Sequence, residues 1–259
     1  MLPAVAVVGL ATWEIVATVR ADADVPGDTA WDEAAALVRA RHQPGDLIVF
    51  APVWNDPVGR LHLGDLMTLE QVARMDAARF GTIWEVSIRG ERAPETAGLA
   101  TTDVVETHGV TVRRFERPAA VVLADVVTAL PTATTDGRGA RPQAEFAEVG
   151  FAPHRCVQAT PAPNQTLRIT FPKLALGREL VGYVGLADIF KRREITAPAR
   201  LDGELGGVIA TSVTMTNTSG WQRFAVATTP GAADVTFALT AIGPGARDRQ
   251  VCFAAESRQ

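Results

Sequence analysis

The chain has 259 residues and a formal net charge of −4, from 25 Lys and Arg against 29 Asp and Glu; it is 47% hydrophobic and only 6% aromatic. The apolar content excludes a disordered chain, two cysteines exclude a disulfide-dense scaffold, and an acidic balance without a basic stripe excludes a nucleic-acid binder by bulk charge. Lys occurs only at Lys173 and Lys191, and the other 23 basic residues are Arg. An anion-binding surface selected for Arg would produce that; so would GC-rich codon usage, which the scatter of Arg along the chain favours.

Leu2 to Val19 is apolar except for Glu14. Its length is at the lower edge of a membrane span, and it lacks the basic start of a signal peptide. Three readings stand: a membrane anchor or last span over residues 2–19, a buried helix, or a buried strand from Ala4 to Leu10. A carboxylate at Glu14 is costly in lipid, whereas Trp13 suits an interface.

Asp28 or Thr29 caps a predicted helix reaching His42, with Trp31, Ala34, Ala35, Leu37 and Val38 at helical spacing. Pro44-Gly45-Asp46 stops it. Leu47–Ala51 is an unbroken apolar run, as expected of a strand covered on both faces. A second helix is predicted from Leu69 to Arg79, capped by Thr68 and ended by Gly81. Strands follow at Thr82–Ile88 and, after a turn-rich stretch, at Gly109–Phe115. Ala119–Leu130 fits a strand or a short helix. Helix and buried strand in alternation predict a small Rossmann-like parallel sheet over 23–130.

The loop Pro52–Asp65 leaves the carboxyl end of the first strand, where open α/β sheets place ligands. In it His62 is a candidate acid or base, Asp65 or Asp56 its orienter, Arg60 an anion contact and Trp54 a ligand contact. The competing reading is a solvated loop whose Asn55 and Asp residues build turns. No glycine fingerprint of the dinucleotide or phosphate-loop type occurs. Ser87 lacks the nucleophile elbow, and His42, His62, His108 and His154 are too far apart in sequence to point to a metal site.

The runs Ala30–Ala35, Gln43–Pro52, Thr82–Ser87 and Gly109–Glu116 resemble the soluble tail after the last membrane span of bacterial polyprenyl-phosphate-dependent, mannosyltransferase-like membrane glycosyltransferases. That resemblance covers roughly residues 5–118. It implies an extracytoplasmic portion without the transferase centre, because the family's catalytic acids lie in an early loop that this chain does not contain; no catalytic residue carries over.

Residues 131–142 are rich in Pro, Gly and Thr and read as a linker. From 143 to 259 the chain turns to short alternating segments: Glu145–Phe151, Arg155–Thr160, Thr166–Phe171, Glu179–Leu186, Val208–Thr216, Trp221–Thr228, Ala233–Ala241 and Gln250–Ala255. Such spacing predicts an all-β jelly-roll sandwich. Leu180–Asp188, Gly220–Phe224 and Pro230–Phe237 resemble galactose-binding-like jelly-roll domains, which implies a fold and, in many such domains, a bound sugar. Trp221 is then a candidate sugar-stacking platform or a core residue; Tyr183 is the chain's one Tyr, so platforms are scarce. Asp188 and Asp202 are weak Ca²⁺ candidates against a plain turn role, and no other cofactor or metal is expected. Asp248, between Arg247 and Arg249, reads as a solvated charge cluster. Cys156 and Cys252 lie in the predicted first and last strands, and terminal strands are commonly neighbours in jelly rolls, so they are candidates for one disulfide; two free buried cysteines are the alternative. The glycosylation sequons at Asn164 and Asn217 read as chance in a chain of bacterial composition.

Three functions compete: a non-catalytic protein of the bacterial cell envelope, anchored in the inner membrane, serving a membrane glycosyltransferase and binding glycan or a partner through its jelly roll; a soluble hydrolase or transferase using Trp54–Asp65, which would allow a cytoplasmic location; and a purely structural interaction protein.

Overall fold

The structure, a computed structural model, describes residues 2–23, 25–187, 197–243, 246–247 and 249–259, with first-helix side chains from residue 6 to 19. Two compact units interleave in sequence: Met1–Thr68 with Phe80–Pro118, and Leu69–Arg79 with Ala119–Gln259.

The first unit opens with α1 (Leu2–Ala23). Neither a buried helix nor a buried strand forms there: Val7, Val8, Leu10, Trp13, Ile15 and Val19 are all at least 63% exposed. Among the described residues no helix is long and apolar enough to cross a membrane. The next helix, α2 (Asp28–Arg39), buries Ala30, Trp31, Ala34, Ala35 and Val38, the stripe its sequence spacing predicts.

That stripe packs on a four-stranded sheet of β1 (Leu47–Ala51), β2 (Thr82–Ile88), β3 (Thr101–Thr107) and β4 (Val110–Glu116), ordered β1-β2-β4-β3. Only β1 and β2 run parallel, so the sheet is mixed where the sequence grammar predicts a parallel one. The cause is the two-residue turn His108-Gly109, with φ of 45° and 86°, which can join only antiparallel strands. The helix α3 (Asp56–Leu63) follows β1. Its Gly59 lies against the Phe50 ring so closely that an added Cβ would sit 2.1 Å from it, which accounts for glycine in mid-helix.

On the opposite sheet face lies Glu85, fully buried in β2. It accepts from Arg113 (3.0 Å), Arg92 (3.0 Å), the Ala93 N–H (2.8 Å) and Thr96. A carboxylate this deep is tolerable only with such partners, and here they tie the segment after β2 back onto the sheet.

The second unit contains β5 (Val122–Asp125), the short helix α5 (Val126–Ala129), β6 (Thr134–Gly137) and β7 (Gly139–Val149), so the stretch read as a linker is largely strand. Then come β8 (Ala152–Pro161), β9 (Thr166–Leu176), β10 (Glu179–Leu186), β11 (Ala199–Leu205), β12 (Val208–Met215), β13 (Gln222–Ala227), β14 (Gly231–Ala241) and β15 (Val251–Arg258). One sheet runs β13-β10-β15-β8-β7, with β5 pairing the end of β15; the other runs β12-β11-β14-β9-β6. Numbered from β8, the two four-strand cores read sixth-third-eighth-first and fifth-fourth-seventh-second, all antiparallel. That is the double Greek key of a jelly roll. Leu167, Ile169, Phe171, Leu201, Phe237 and Leu239 from one sheet meet Val157, Val184, Val251 and Phe253 from the other in a single core.

Replacing Glu85 with Ala removes the acceptor for Arg92, Arg113, Thr96 and the Ala93 N–H; Arg92 is 44% exposed and Arg113 keeps Ser87, so the cost is that of lost hydrogen bonds to a charged group, about 2–3 kcal/mol. Urea unfolding of the variant is expected to show that loss in the first unit's transition; a shift under about 1 kcal/mol would mean that the network contributes little.

Candidate functional site

The loop after β1 does not assemble the predicted acid–base group. His62 Nδ1 pairs with Asp32 on α2 (3.0 Å), not with Asp65 or Asp56, and its ring stacks on Trp31. Its Nε2 is buried, with no hydrogen-bond partner among the described residues, so this nitrogen does not face solvent. Asp65 instead accepts from Arg39 (2.6 Å), and Asp56 pairs with Arg60 (2.6 Å) one helical turn on. Trp54 is 62% exposed, with the Arg89 guanidinium 5.7 Å over its ring. Asn55 is buried.

Nor is Trp221 an open platform. His154 from β8 stacks on it at 4.3 Å and 12°, and Tyr183 from β10 at 5.9 Å and 15°. These two strands flank β15 in the sheet. Its N–H donates to the Met75 carbonyl (3.1 Å). Met75 belongs to Leu69–Arg79, which forms only one helical turn, α4 (Leu69–Val72), and then crosses the sandwich as a strap. Arg155 N–H donates to the Ala73 carbonyl (2.7 Å), and His154 Nδ1 lies 3.1 Å from the Arg74 carbonyl. Arg258 reaches Asp76 (2.8 Å), and Arg79 reaches Glu256 and Asp125 (both 2.5 Å). Burial pulls the Arg258 guanidinium down, but Asp76 and Glu256 outweigh it and the net shift is upward. Burial, with Asp76 next, raises the Tyr183 phenol. Burial also lowers the His154 imidazole from 6.5 to about 4.

Cys156 and Cys252 are bonded in the structure, their Cα atoms 5.5 Å apart across β8 and β15. Val149 packs on the pair. Of the Ca²⁺ candidates, Asp202 accepts from Arg200 (3.0 Å) and Ser212, while Asp188 lies outside the described residues, as does Asp248. No group of three or more metal-ligating side chains occurs among the described residues.

The polar grouping in the jelly roll with chemistry to offer a ligand lies on the outer face of β12-β11-β14-β9-β6, and sequence reasoning did not assemble it. Register sets its residues in cross-strand rows: Asp136, Arg168, Ala238, Asp202 and Ser212 in one, Thr134, Thr170, Thr236 and Glu204 in the next, Thr166, Thr240, Arg200 and Thr214 in a third. Asp202 and Glu204 are each 5% exposed, held by the half-exposed Arg200 and Arg168. Small residues at Ala238 and the threonines keep the face flat. The alternation in β9 and β14 is readable; β11 is not, because Gly203 faces the core and charges fill its outer positions.

A jelly roll of two antiparallel sheets, interleaved with a mixed α/β unit, is thus the class that the strand order defines. No protein-family model matches the chain. Among curated proteins it is 31% identical over 147 residues to an isonitrile lipopeptide synthase of Mycobacterium tuberculosis; the match takes in 54% of this chain and spans 6% of that protein. Among solved structures it is similar to a carbohydrate-binding module of family 51 with its neighbouring domain from Clostridium perfringens ZmpB, in complex with GlcNAc (12% identity, 67% of this chain and 40% of that one, TM-score 0.38). It is also similar to a family 51 module of C. perfringens GH95 with methyl-galactose (10% identity, 54% and 100%, TM-score 0.37). A third likeness is the K3 cleaved adhesin domain of Lys-gingipain from Porphyromonas gingivalis (18% identity, 54% and 98%, TM-score 0.35). At such low identities and TM-scores the jelly-roll assignment rests on strand order, not on these likenesses.

His154 gives the strap a pH signature. Its folded-state value lies below its unfolded one, so the unfolded chain binds more protons between about pH 6.5 and 4, and this contribution to stability is lost as pH falls through that window. A shift of this size corresponds to at most about 3 kcal/mol. Denaturant midpoints measured from pH 7 to 4 are expected to fall more steeply in the wild type than in His154→Gln. Equal slopes would remove the histidine from the account.

Proposed function

We propose that the chain is a non-catalytic, extracytoplasmic protein whose jelly roll binds a glycan on the outer face of β12-β11-β14-β9-β6, and that α1 attaches it to the membrane beside a membrane glycosyltransferase. The observation that carries the glycan reading is the array of Arg168, Arg200, Asp202 and Glu204 set among threonine hydroxyls. Carboxylates paired with guanidinium groups retain free acceptor lone pairs, and arginine has five N–H donors of which these pairs use one or two. A flat field of charged acceptors and donors suits vicinal hydroxyls, which give and take hydrogen bonds together. The Cys156–Cys252 disulfide supports an oxidising compartment. The apolar residues exposed along α1 support the attachment, and the resemblance of residues 5–118 to glycosyltransferase tails supports the neighbour. The alternative of an enzyme centred on His62 loses ground, because Nε2 is buried and the predicted orienters are engaged elsewhere.

Screening the full chain on a glycan array, followed by calorimetry, is expected to find an oligosaccharide whose affinity falls about tenfold, or about 1.4 kcal/mol, in Arg200→Gln with the melting temperature held. Absence of any glycan ligand for the wild type would overturn the reading.

A further inference from the structure

A surface helix normally turns its polar side outward; the segment Val53–Leu63, a single 3-10 turn running into α3, does not. Asn55, Gly59 and Leu63 are its buried positions and His62 is nearly so, whereas Trp54, Val58 and Leu61, at spacings of four and three, face solvent at 62%, 41% and 80% exposure. Val53 adds a further 69% exposed side chain. The segment therefore turns large apolar side chains to solvent. Arg89 borders the patch: it follows the carboxyl end of β2, which lies beside that of β1, with Ala51 opposite Ser87. Its backbone is left-handed (φ 58°), an uncommon state for a residue with a side chain, and its guanidinium lies over the Trp54 ring. Neighbouring Arg39, Arg41, Arg60, Arg92, Arg113 and Arg114 are each paired with a carboxylate, but Arg89 makes no ion pair among the described residues.

We infer that this edge of the α/β unit docks on an anionic lipid surface, with Trp54, Val58 and Leu61 seated at the headgroup–acyl boundary and Arg89 on a lipid phosphate. Indole and guanidinium favour that boundary, where one end is apolar and the other wet, and aliphatic side chains beside a cation without a carboxylate partner match the chemistry of acyl chain and phosphate together. A protein partner could bury the same apolar residues. The outward-facing apolar α1 in the same unit favours lipid, because a single protein surface covers only one side of a helix. The inference rests on the membrane-associated part of the proposed function and names a second contact for it.

The test is co-sedimentation of the full chain with phosphatidylcholine vesicles, with and without phosphatidylglycerol. The wild type is expected to bind, and to prefer the anionic vesicles. Arg89→Glu should remove the preference and cut binding at least about fivefold, the equivalent of about 1 kcal/mol for one basic residue near the surface. Trp54→Ser with Leu61→Ser should cut it about tenfold, and brominated lipid should quench the wild type more than Trp54→Phe. Circular dichroism and melting curves confirm that the variants fold. Wild-type binding unchanged in every variant would overturn this inference and leave attachment to α1 alone. Wild-type failure to bind any vesicle would overturn both. Self-association that Trp54→Ser with Leu61→Ser abolishes, in a wild type that binds no vesicle, would assign the patch to a second copy instead.

Discussion

The larger unit depends on the insertion of β15 into the middle of its sheet. The last strand of the chain is buried along all of its eight residues, and it pairs with β10 on one side and with β8 and β5 on the other. Until it arrives, two sheet edges are open and the inner face lacks Val251 and Phe253. The disulfide closes this strand to β8 across a sequence separation of 96 residues. Such non-local closure is slow to form because the loop entropy must be met first, and in the chain-entropy model a cross-link over about 100 residues contributes about 4.7 kcal/mol by restricting the unfolded state.

β15 also holds the strap. Glu256 and Arg258 project from the outer face and meet Arg79 and Asp76, so the eleven residues Leu69–Arg79 belong physically to the jelly roll although they lie in sequence between β1 and β2 of the other unit. These charges are not decorations on a solvated strand. Arg258 is 8% exposed and Glu256 4%, which is tolerable because each is hydrogen-bonded to an opposite charge. The same strap occupies the Trp221 N–H through the Met75 carbonyl, which is why a residue with the composition of a sugar platform acts as a packing element.

How legible each part was follows from how local its cause is. Leu47–Ala51 and Thr82–Ile88 announce themselves because both faces are covered and every residue is apolar or firmly paired, and α2 because its buried stripe is contiguous. Strand β3 was hidden: its burial alternates between exposed and half-exposed positions without a buried residue, so Thr101–Thr107 shows no apolar period. The Leu69–Arg79 stretch has a helix cap and helix-forming residues, yet partners at Asp125, Glu256 and Arg258, distant in sequence, draw it out after one turn. The candidate glycan face was missed for a related reason. Its charged pairs sit on different strands, Arg168 with Glu204, and only the register of a jelly roll brings them together.

Tryptophan placement separates the roles of the two units. Trp31 and Trp84 are buried and Trp221 is held in a ring stack, while Trp13 and Trp54 are 69% and 62% exposed, both in the α/β unit and both beside exposed aliphatic side chains. In a chain with only 6% aromatic residues, two solvent-exposed indoles in one unit concentrate its exposed apolar surface there. The outer sheet face of the jelly roll offers the opposite chemistry, carboxylates, guanidinium groups and hydroxyls over a floor of Ala238 and Thr236. An apolar edge beside a cation that makes no ion pair among the described residues, and a polar face built on arginine–carboxylate pairs, offer different chemistries, which is why the two proposals set a lipid surface against the first and a polyol against the second.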